Sequence, residues 1–376
     1  MTRIKQTLAE LVRIDSVSAR SNVDIIRHLE DRCAAMGLVT RRFPYPDDFG
    51  VEKINLIALT SDVNEVELAL VGHTDTVPYD QAWTDATNLT ERDGRLYGRG
   101  SCDTKGFIAA ALTAVETINL SRLNKPLALI FTADEEIGLR GAKQLAHEKP
   151  LRVRYSIVGE PTSLKPIRAG KGYSLAEVIV KGREAHSAYP ALGASAVFRA
   201  ARLITRLETI AQQLQQDQHA AFDPPYTTLN IGLIHGGSAK NVLAGECRFT
   251  LEWRPVPSQP SEHVLQLFRA AIEEETQADP DFECEVDASR ADSGFETPPA
   301  SPLINLLENL TGKESGTVAF GTEAAQMMSL GSEPVVLGPG DIREAHRTGE
   351  FVPVDELERC AEILKKSVVQ ICGVGG

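Results

Sequence analysis

Five short stretches of the chain carry side chains able to hold metal ions or move protons. They are Val71-Gly-His73-Thr-Asp75-Thr-Val-Pro78, Gly98-Arg-Gly-Ser-Cys-Asp103-Thr-Lys-Gly106, Thr132-Ala-Asp-Glu135-Glu136, Val158-Gly-Glu160-Pro-Thr162 and Gly338-Pro-Gly-Asp-Ile-Arg-Glu-Ala-His346. Zinc takes imidazole nitrogen and carboxylate oxygen at about 2.0–2.2 Å, and a hydrolytic site leaves one position open for water. Two histidines and three carboxylates fill a paired site when one carboxylate bridges ions about 3.5–4 Å apart. Glu135 and Glu136 are adjacent, so on an extended strand end they cannot both point the same way. One can ligate while the other stays free for proton transfer. The spacing His73-x-Asp75 lets Asp75 accept a hydrogen bond that orients a ligating imidazole. Taken singly, each stretch has a plainer reading. His73-x-Asp75 could be a turn pair, Glu135-Glu136 a solvated loop face, Asp103 a helix N-cap, and Glu160 and His346 surface or packing residues. Their joint placement at strand ends favours a metal site.

The elements that must position them can be read from pattern. Short apolar runs at 55–59, 67–71, 126–131 and 153–158 suit buried strands, with a helix at 104–119 between two of them. An opening helix ends near 12–15, and a second fits 22–36. That alternation predicts an α/β fold with a mostly parallel sheet covered on both faces, whose C-terminal strand edge is where ligands bind. From 174 the rhythm changes. A strand at 174–180, a helix at 194–216, strands at 227–234 and 244–253, a helix at 262–275 and a strand at 282–289 give the β-α-β-β-α-β order of a ferredoxin-like α+β layer. Helix–strand alternation then resumes through 302–310, 316–320, 334–338 and a closing helix at 354–372. The expected organisation is a discontinuous catalytic domain, 1–173 and 289–376, with 174–288 inserted into it.

Composition excludes some partners. The net charge is −13, from 39 basic and 52 acidic side chains, and no run of Lys and Arg stands out, so nucleic acid is not expected. No stretch approaches the roughly 20 apolar residues that cross a bilayer, and the N-terminus lacks the apolar core of a signal peptide. The six cysteines form no CxxC pair and are expected to be reduced, with a cytoplasmic location.

Taken together and in order, the five motifs resemble the co-catalytic zinc hydrolases, a family that includes acetylornithine deacetylase, succinyl-diaminopimelate desuccinylase, aminoacylase and carboxypeptidases. The resemblance covers essentially the whole chain and implies a zinc-peptidase-like catalytic domain. It implies that Asp103 bridges two Zn2+ ions, with His73 and Glu160 on one and Glu136 and His346 on the other. Co2+ or another divalent ion can substitute. It further implies that Glu135 is the general base and that Asp75 orients His73. Gly182-Arg-Glu-Ala-His186 is similar to the family segment whose histidine reaches the neighbouring subunit's active site and helps hold the oxyanion, which implies a homodimer through a dimerisation or lid domain at 174–288. Gly236-Gly-Ser-Ala-Lys-Asn241 and Arg254 look like its carboxylate-recognition elements, although Arg254 could instead make a structural salt bridge.

Gly159-Glu-Pro-Thr-Ser163, Arg168-Ala-Gly-Lys-Gly-Tyr173 and Phe320-Gly-Thr-Glu-Ala324 are most similar to acetylornithine deacetylases. The expected reaction is therefore N-acetyl-L-ornithine plus water to L-ornithine plus acetate, in arginine biosynthesis. Thr322 and Glu323 are expected to line the pocket, with Glu323 either facing a substrate amine or serving structure. A succinyl-diaminopimelate desuccinylase, a broader aminoacylase or a dipeptidase are the rivals within the class. A non-catalytic protein that binds an acylated amino acid is the rival outside it, though binding alone has no need of Glu135.

Overall fold

Apolar runs without alternation belong to strands covered on both faces. In the computed structural model, which describes residues 2–279 and 281–374, four such runs lie side by side as parallel strands. Their order is Leu127–Thr132, Glu65–His73, Arg152–Val158, Glu333–Val336. Beyond Leu127–Thr132 the sheet continues antiparallel with Glu52–Leu59 and then Val39–Pro46. The sheet is thus parallel at its centre and antiparallel at its margins. Met1, Pro280, Gly375 and Gly376, which fall within the ranges read from sequence, lie outside the described residues.

Helices Arg3–Arg13, Val23–Ala35, Lys105–Glu116 and Val354–Cys372 bury one continuous core with this sheet. Val354–Cys372 shows the helical repeat plainly, burying Leu357, Cys360, Leu364 and Val368 at spacings of three and four. Lys105–Glu116 is apolar nearly all round, as a central helix must be, with Phe107, Ile108, Leu112 and Val115 buried.

The chain divides into two compact units, Met1–Arg168 with Glu296–Gly316 and Thr322–Gly376, and Ala169–Phe295 with Thr317–Gly321. The second is built on a four-stranded antiparallel sheet in the order Thr228–Gly236, Glu246–Arg254, Tyr173–Lys181, Glu283–Asp292. Helices Ala196–Leu214 and His263–Ala278 supply its other layer. Strand residues alternate, so Ala176, Val178 and Val180 face inward with Phe249, Leu251 and Trp253. Leu203, Leu207 and Ile210 of one helix and Val264, Leu265 and Phe268 of the other complete that core. The segment Thr317–Gly321 joins this unit because Arg254 donates to the Ala319 carbonyl (3.1 Å) and the Lys171 N–H to that of Val318 (3.1 Å). Periodicity could not have shown that.

Two further elements escape a reading from sequence because they are so short. Strands Thr90–Arg92, Arg95–Tyr97 and Phe351–Pro353 form a small separate sheet, and Ala324–Ser329 is a helix of under two turns. All six cysteines are unpaired. Among the described residues no helix is long and apolar enough to cross a membrane.

Candidate active site

The four adjacent parallel strands all end on the same sheet edge, and each delivers part of one cluster. His73 closes Glu65–His73, Glu135 and Glu136 follow Leu127–Thr132, Glu160 follows Arg152–Val158, and His346 lies in the loop after Glu333–Val336. Asp103 arrives from the side, in the turn that opens helix Lys105–Glu116. Close backbone approach makes this possible. A Cβ on Gly338 would sit 2.4 Å from the Glu160 carbonyl oxygen, and one on Gly106 would sit 2.4 Å from that of Ser101.

Asp103 divides its carboxylate between the two histidines. Its Oδ1 lies 3.0 Å from His73 Nε2 and its Oδ2 lies 3.1 Å from His346 Nε2. His346 Nε2 also meets Glu136 at 3.0 Å. Two triads able to hold an ion therefore share Asp103, namely His73, Asp103 and Glu160, and Asp103, Glu136 and His346. A third grouping joins His73 with Glu135 and Glu136. This donor set of two imidazoles and three carboxylates fits a pair of divalent ions. His346 is half exposed, so the cluster is open on that side.

Asp75 holds the frame together. Its Oδ2 accepts from Ser18 Oγ (2.8 Å) and the Glu136 N–H (3.2 Å), and its Oδ1 accepts the Glu135 N–H (3.1 Å). His73 Nδ1 is nearer the Asp75 backbone carbonyl, at 3.1 Å, than its carboxylate, at 3.5 Å. The bond expected from the carboxylate is made chiefly by the carbonyl, because the carboxylate already serves three other donors. Glu350 anchors the backbone of the Asp103 turn. Its Oε1 accepts the N–H groups of Cys102 (2.9 Å) and Asp103 (3.0 Å), while its Oε2 pairs with Arg99. Ser18, Arg99 and Glu350 were not singled out from sequence. Arg99 sits inside a quoted motif, but Ser18 and Glu350 are single residues far away in the chain, with no spacing to mark them.

Proton affinities follow from burial and crowding. Burial by itself lowers the His73 pKa, yet hydrogen bonds to Asp103 and Asp75 lift it well above its usual value. Bonds to Asp103 and Glu136 raise His346 to about 10. Burial and the neighbouring Glu136 and Asp103 push Glu135 well above the usual carboxylate range. Glu160 is raised likewise by burial, Asp103 and Glu135. Asp103 runs the other way, since its bonds to His346 and His73 outweigh burial and hold it low. Thr322 and Glu323 are buried in the same unit, and burial raises Glu323 to about 7. Its oxygens make no well-formed hydrogen bond, the nearby Thr132 hydroxyl and the His73 charge only partly offset its burial, and it lies within electrostatic reach of Asp75, Glu135 and Glu160.

The remaining sequence-read candidates lie in the second unit. His186 is exposed and bridges to Val242, and the Asn241 carbonyl accepts the Ser187 N–H at 3.0 Å, so His186 and Asn241 share one loop cluster. Arg254 sits at the opposite end of strand Glu246–Arg254, roughly 27 Å away at about 3.4 Å per residue. There it pairs with Glu252 (2.9 Å) and stacks over the Tyr173 ring at 4.7 Å.

A model of peptidase family M20/M25/M40 matches residues 69–370. An acetylornithine deacetylase from Myxococcus xanthus is 52% identical, over 98% of this chain and 98% of its own. Among solved structures, a tripeptidase from Staphylococcus aureus superposes with a TM-score of 0.77 at 24% identity, covering 98% of each chain. The YXEP protein of Bacillus subtilis, described as a dinuclear metal-binding peptidase of the M20 family, does so with a TM-score of 0.67 at 12% identity, over 99% of this chain and 98% of that one.

Proposed function

The chain belongs to peptidase family M20/M25/M40, and from that premise we propose that it hydrolyses N-acetyl-L-ornithine to L-ornithine and acetate. It is a metal-dependent amidohydrolase. The observation that carries the chemistry is the Asp103 carboxylate, split between two histidines with Glu135 beside it and Asp75 holding the base of the site. The substrate rests on the 52% identity with the Myxococcus deacetylase.

His73 and Glu160 would hold one ion and Glu136 and His346 the other, with Asp103 between them; zinc suits this set, and Co2+ can replace it. Divalent ions held there would supply Lewis acidity, making water a stronger acid and polarising the acyl carbonyl. Glu135 would take a proton from the attacking water on its carboxylate and later return it to the leaving amine nitrogen. Asp75 keeps Glu135 aimed, because the Glu135 N–H is anchored on its Oδ1.

Arg254 would pair its fork with the substrate carboxylate, and Thr322 and Glu323 would line the pocket, with Glu323 facing the side-chain ammonium. The span between Arg254 and the His186–Asn241 cluster supports a homodimer, since one second unit cannot bring both ends of its strand to one small substrate. In that arrangement His186 and Asn241 serve the neighbouring subunit's site, where His186 donates to the oxyanion. The surface agrees. Strand Thr228–Gly236 is an edge strand with Leu233 60% and Ile234 51% exposed, and Phe198 is 71% exposed in the same unit. The biosynthetic reaction fits a cytoplasmic enzyme of arginine synthesis.

The deciding experiment measures amine release by the zinc-loaded protein from N-acetyl-L-ornithine, N-succinyl-diaminopimelate and acetylated neutral amino acids. A strong preference for acetylornithine is expected. Equal rates across the panel would leave only the amidohydrolase class, and no turnover at all would favour a binding protein.

A further inference from the structure

Lys53 lies fully buried in strand Glu52–Leu59, outside the metal cluster. Its ammonium donates to the Ser18 carbonyl and to the Arg20 carbonyl at 2.8 Å, and pairs with Asp134 Oδ1 at 2.9 Å. The other Asp134 oxygen accepts from the Tyr45 hydroxyl at 3.0 Å. Asp134 precedes the two glutamates and has a left-handed backbone, with φ 56°. That turn directs the N–H groups of Glu135 and Glu136 back onto the Asp75 carboxylate. The third donor to Asp75 is Ser18, which belongs to the loop that Lys53 holds from the other side. All three donors that fix Asp75 thus hang from segments pinned by one ammonium.

We propose that Lys53 is a positioning residue for catalysis, tying the Ser18 loop to the Asp134 turn and so setting the aim of Asp75 and Glu135. This rests on the reading of Glu135 as general base. The rival is that Lys53 merely neutralises a buried Asp134. A neutralising lysine would matter for the melting temperature alone, whereas a positioning one must also show in turnover and in how firmly His73 holds an ion.

The test compares Lys53→Met, Tyr45→Phe, Asp134→Asn and the Lys53→Met/Asp134→Asn double variant with the full-length metal-loaded protein. Lys53→Met is expected to keep two ions per chain, lower kcat by about 10–100-fold and change KM by under about threefold, the effect usual for groups that orient metal-site residues. Metal loss to a chelator is expected to quicken by about tenfold, a readout independent of turnover. The double variant is expected to lose little more than Lys53→Met alone, because both changes cut one link. Tyr45→Phe removes a single hydrogen bond and is expected to fold with kcat lowered about threefold.

A folded Lys53→Met protein with unchanged kcat and chelator rate overturns the proposal, as does an additive double variant. If Lys53→Met fails to fold, unchanged kcat in Tyr45→Phe overturns it. An active Glu135→Gln enzyme would instead undo the underlying assignment of the base, so the two failures can be told apart.

Discussion

Replacing Glu135 by Gln separates a proton carrier from a metal ligand. The amide matches the carboxylate in volume, and the backbone N–H of residue 135 still reaches Asp75 Oδ1, at 3.1 Å in the parent protein. The loss is therefore confined to proton transfer. A positioned general base contributes about 10²–10⁴-fold, which corresponds to about 3–5 kcal/mol of activation free energy. Metal content is expected to hold at two per chain, because the proposed ion pair uses the two triads that share Asp103 and not the third grouping, in which Glu135 joins His73 and Glu136. The change also removes a carboxylate that burial, Glu136 and Asp103 all oppose. The metal-free variant is accordingly expected to be no less stable than the parent at pH 8. The assay pairs steady-state release of ornithine with elemental analysis of the same dialysed sample. Metal content falling to one would make Glu135 a ligand, and a kcat within about threefold of the parent would remove it from the chemistry.

His346→Ala is expected to leave one ion per chain, since it strips one triad of its only nitrogen; a stoichiometry of two would reject that assignment. His186→Ala should keep both ions and the fold while kcat falls by about 10²–10³-fold, the range for removing an oxyanion donor. Kinetics like the parent's would return His186 to the exposed surface. Burial holds Glu323 at about 7 against an ordinary 4.5. The folded state thus binds more protons than the unfolded one between those values, and stability falls as pH rises through that window, by up to about 3 kcal/mol above pH 7. Glu323→Gln is expected to flatten that fall in urea titrations of the metal-free protein and to raise KM for N-acetyl-L-ornithine but not for N-acetyl-L-norvaline. An unchanged slope would refute the first expectation, and equal effects on the two substrates the second.

What could be read from the chain and what could not differ in a physical way. His73, Glu135, Glu136 and Glu160 were legible as candidates because each follows a dense apolar run that marks a strand end. Asp103 was legible through the glycines around it. The change of sheet after residue 173 was legible because strands of alternating burial, such as Tyr173–Lys181, replace the solid apolar runs of the first sheet. The residues that hold the ligands in place left no such trace. Ser18 meets Asp75 across 57 positions, and Glu350 meets Cys102 across 248. Each is a single polar side chain whose partner is settled only when the sheet forms. Lys53 lies just ahead of the apolar run at 55–59, where no spacing marks it out, yet it is 1% exposed. Strands of three residues, as in Arg95–Tyr97, are too short for any periodicity to register.

Charge accounts for why so many acids share one sheet edge. Asp75, Asp103, Glu160 and Glu323 are buried and Glu135 and Glu136 partly so. The nearby cations are already committed, Lys53 to Asp134 and Arg99 to Glu350, while the buried Lys105 ammonium donates to the Ile14 carbonyl. Carboxylates crowded in this way must either keep protons, as the raised Glu135 and Glu160 do, or face positive charge. Two divalent ions carry four positive charges. With the ions bound and the imidazoles neutral, the three carboxylates proposed as ligands and Glu135, then all ionised, would supply four negative ones and the two sets would cancel. Asp75 keeps its charge by accepting three hydrogen bonds. In the metal-free protein Glu323 stands close to half ionised near neutral pH, its burial only partly offset by His73 and Thr132. A substrate that brings its own ammonium would complete the balance, and an acylated neutral amino acid would not. The crowding of carboxylates that suits a metal pair thus agrees with the basic side chain of the substrate proposed above.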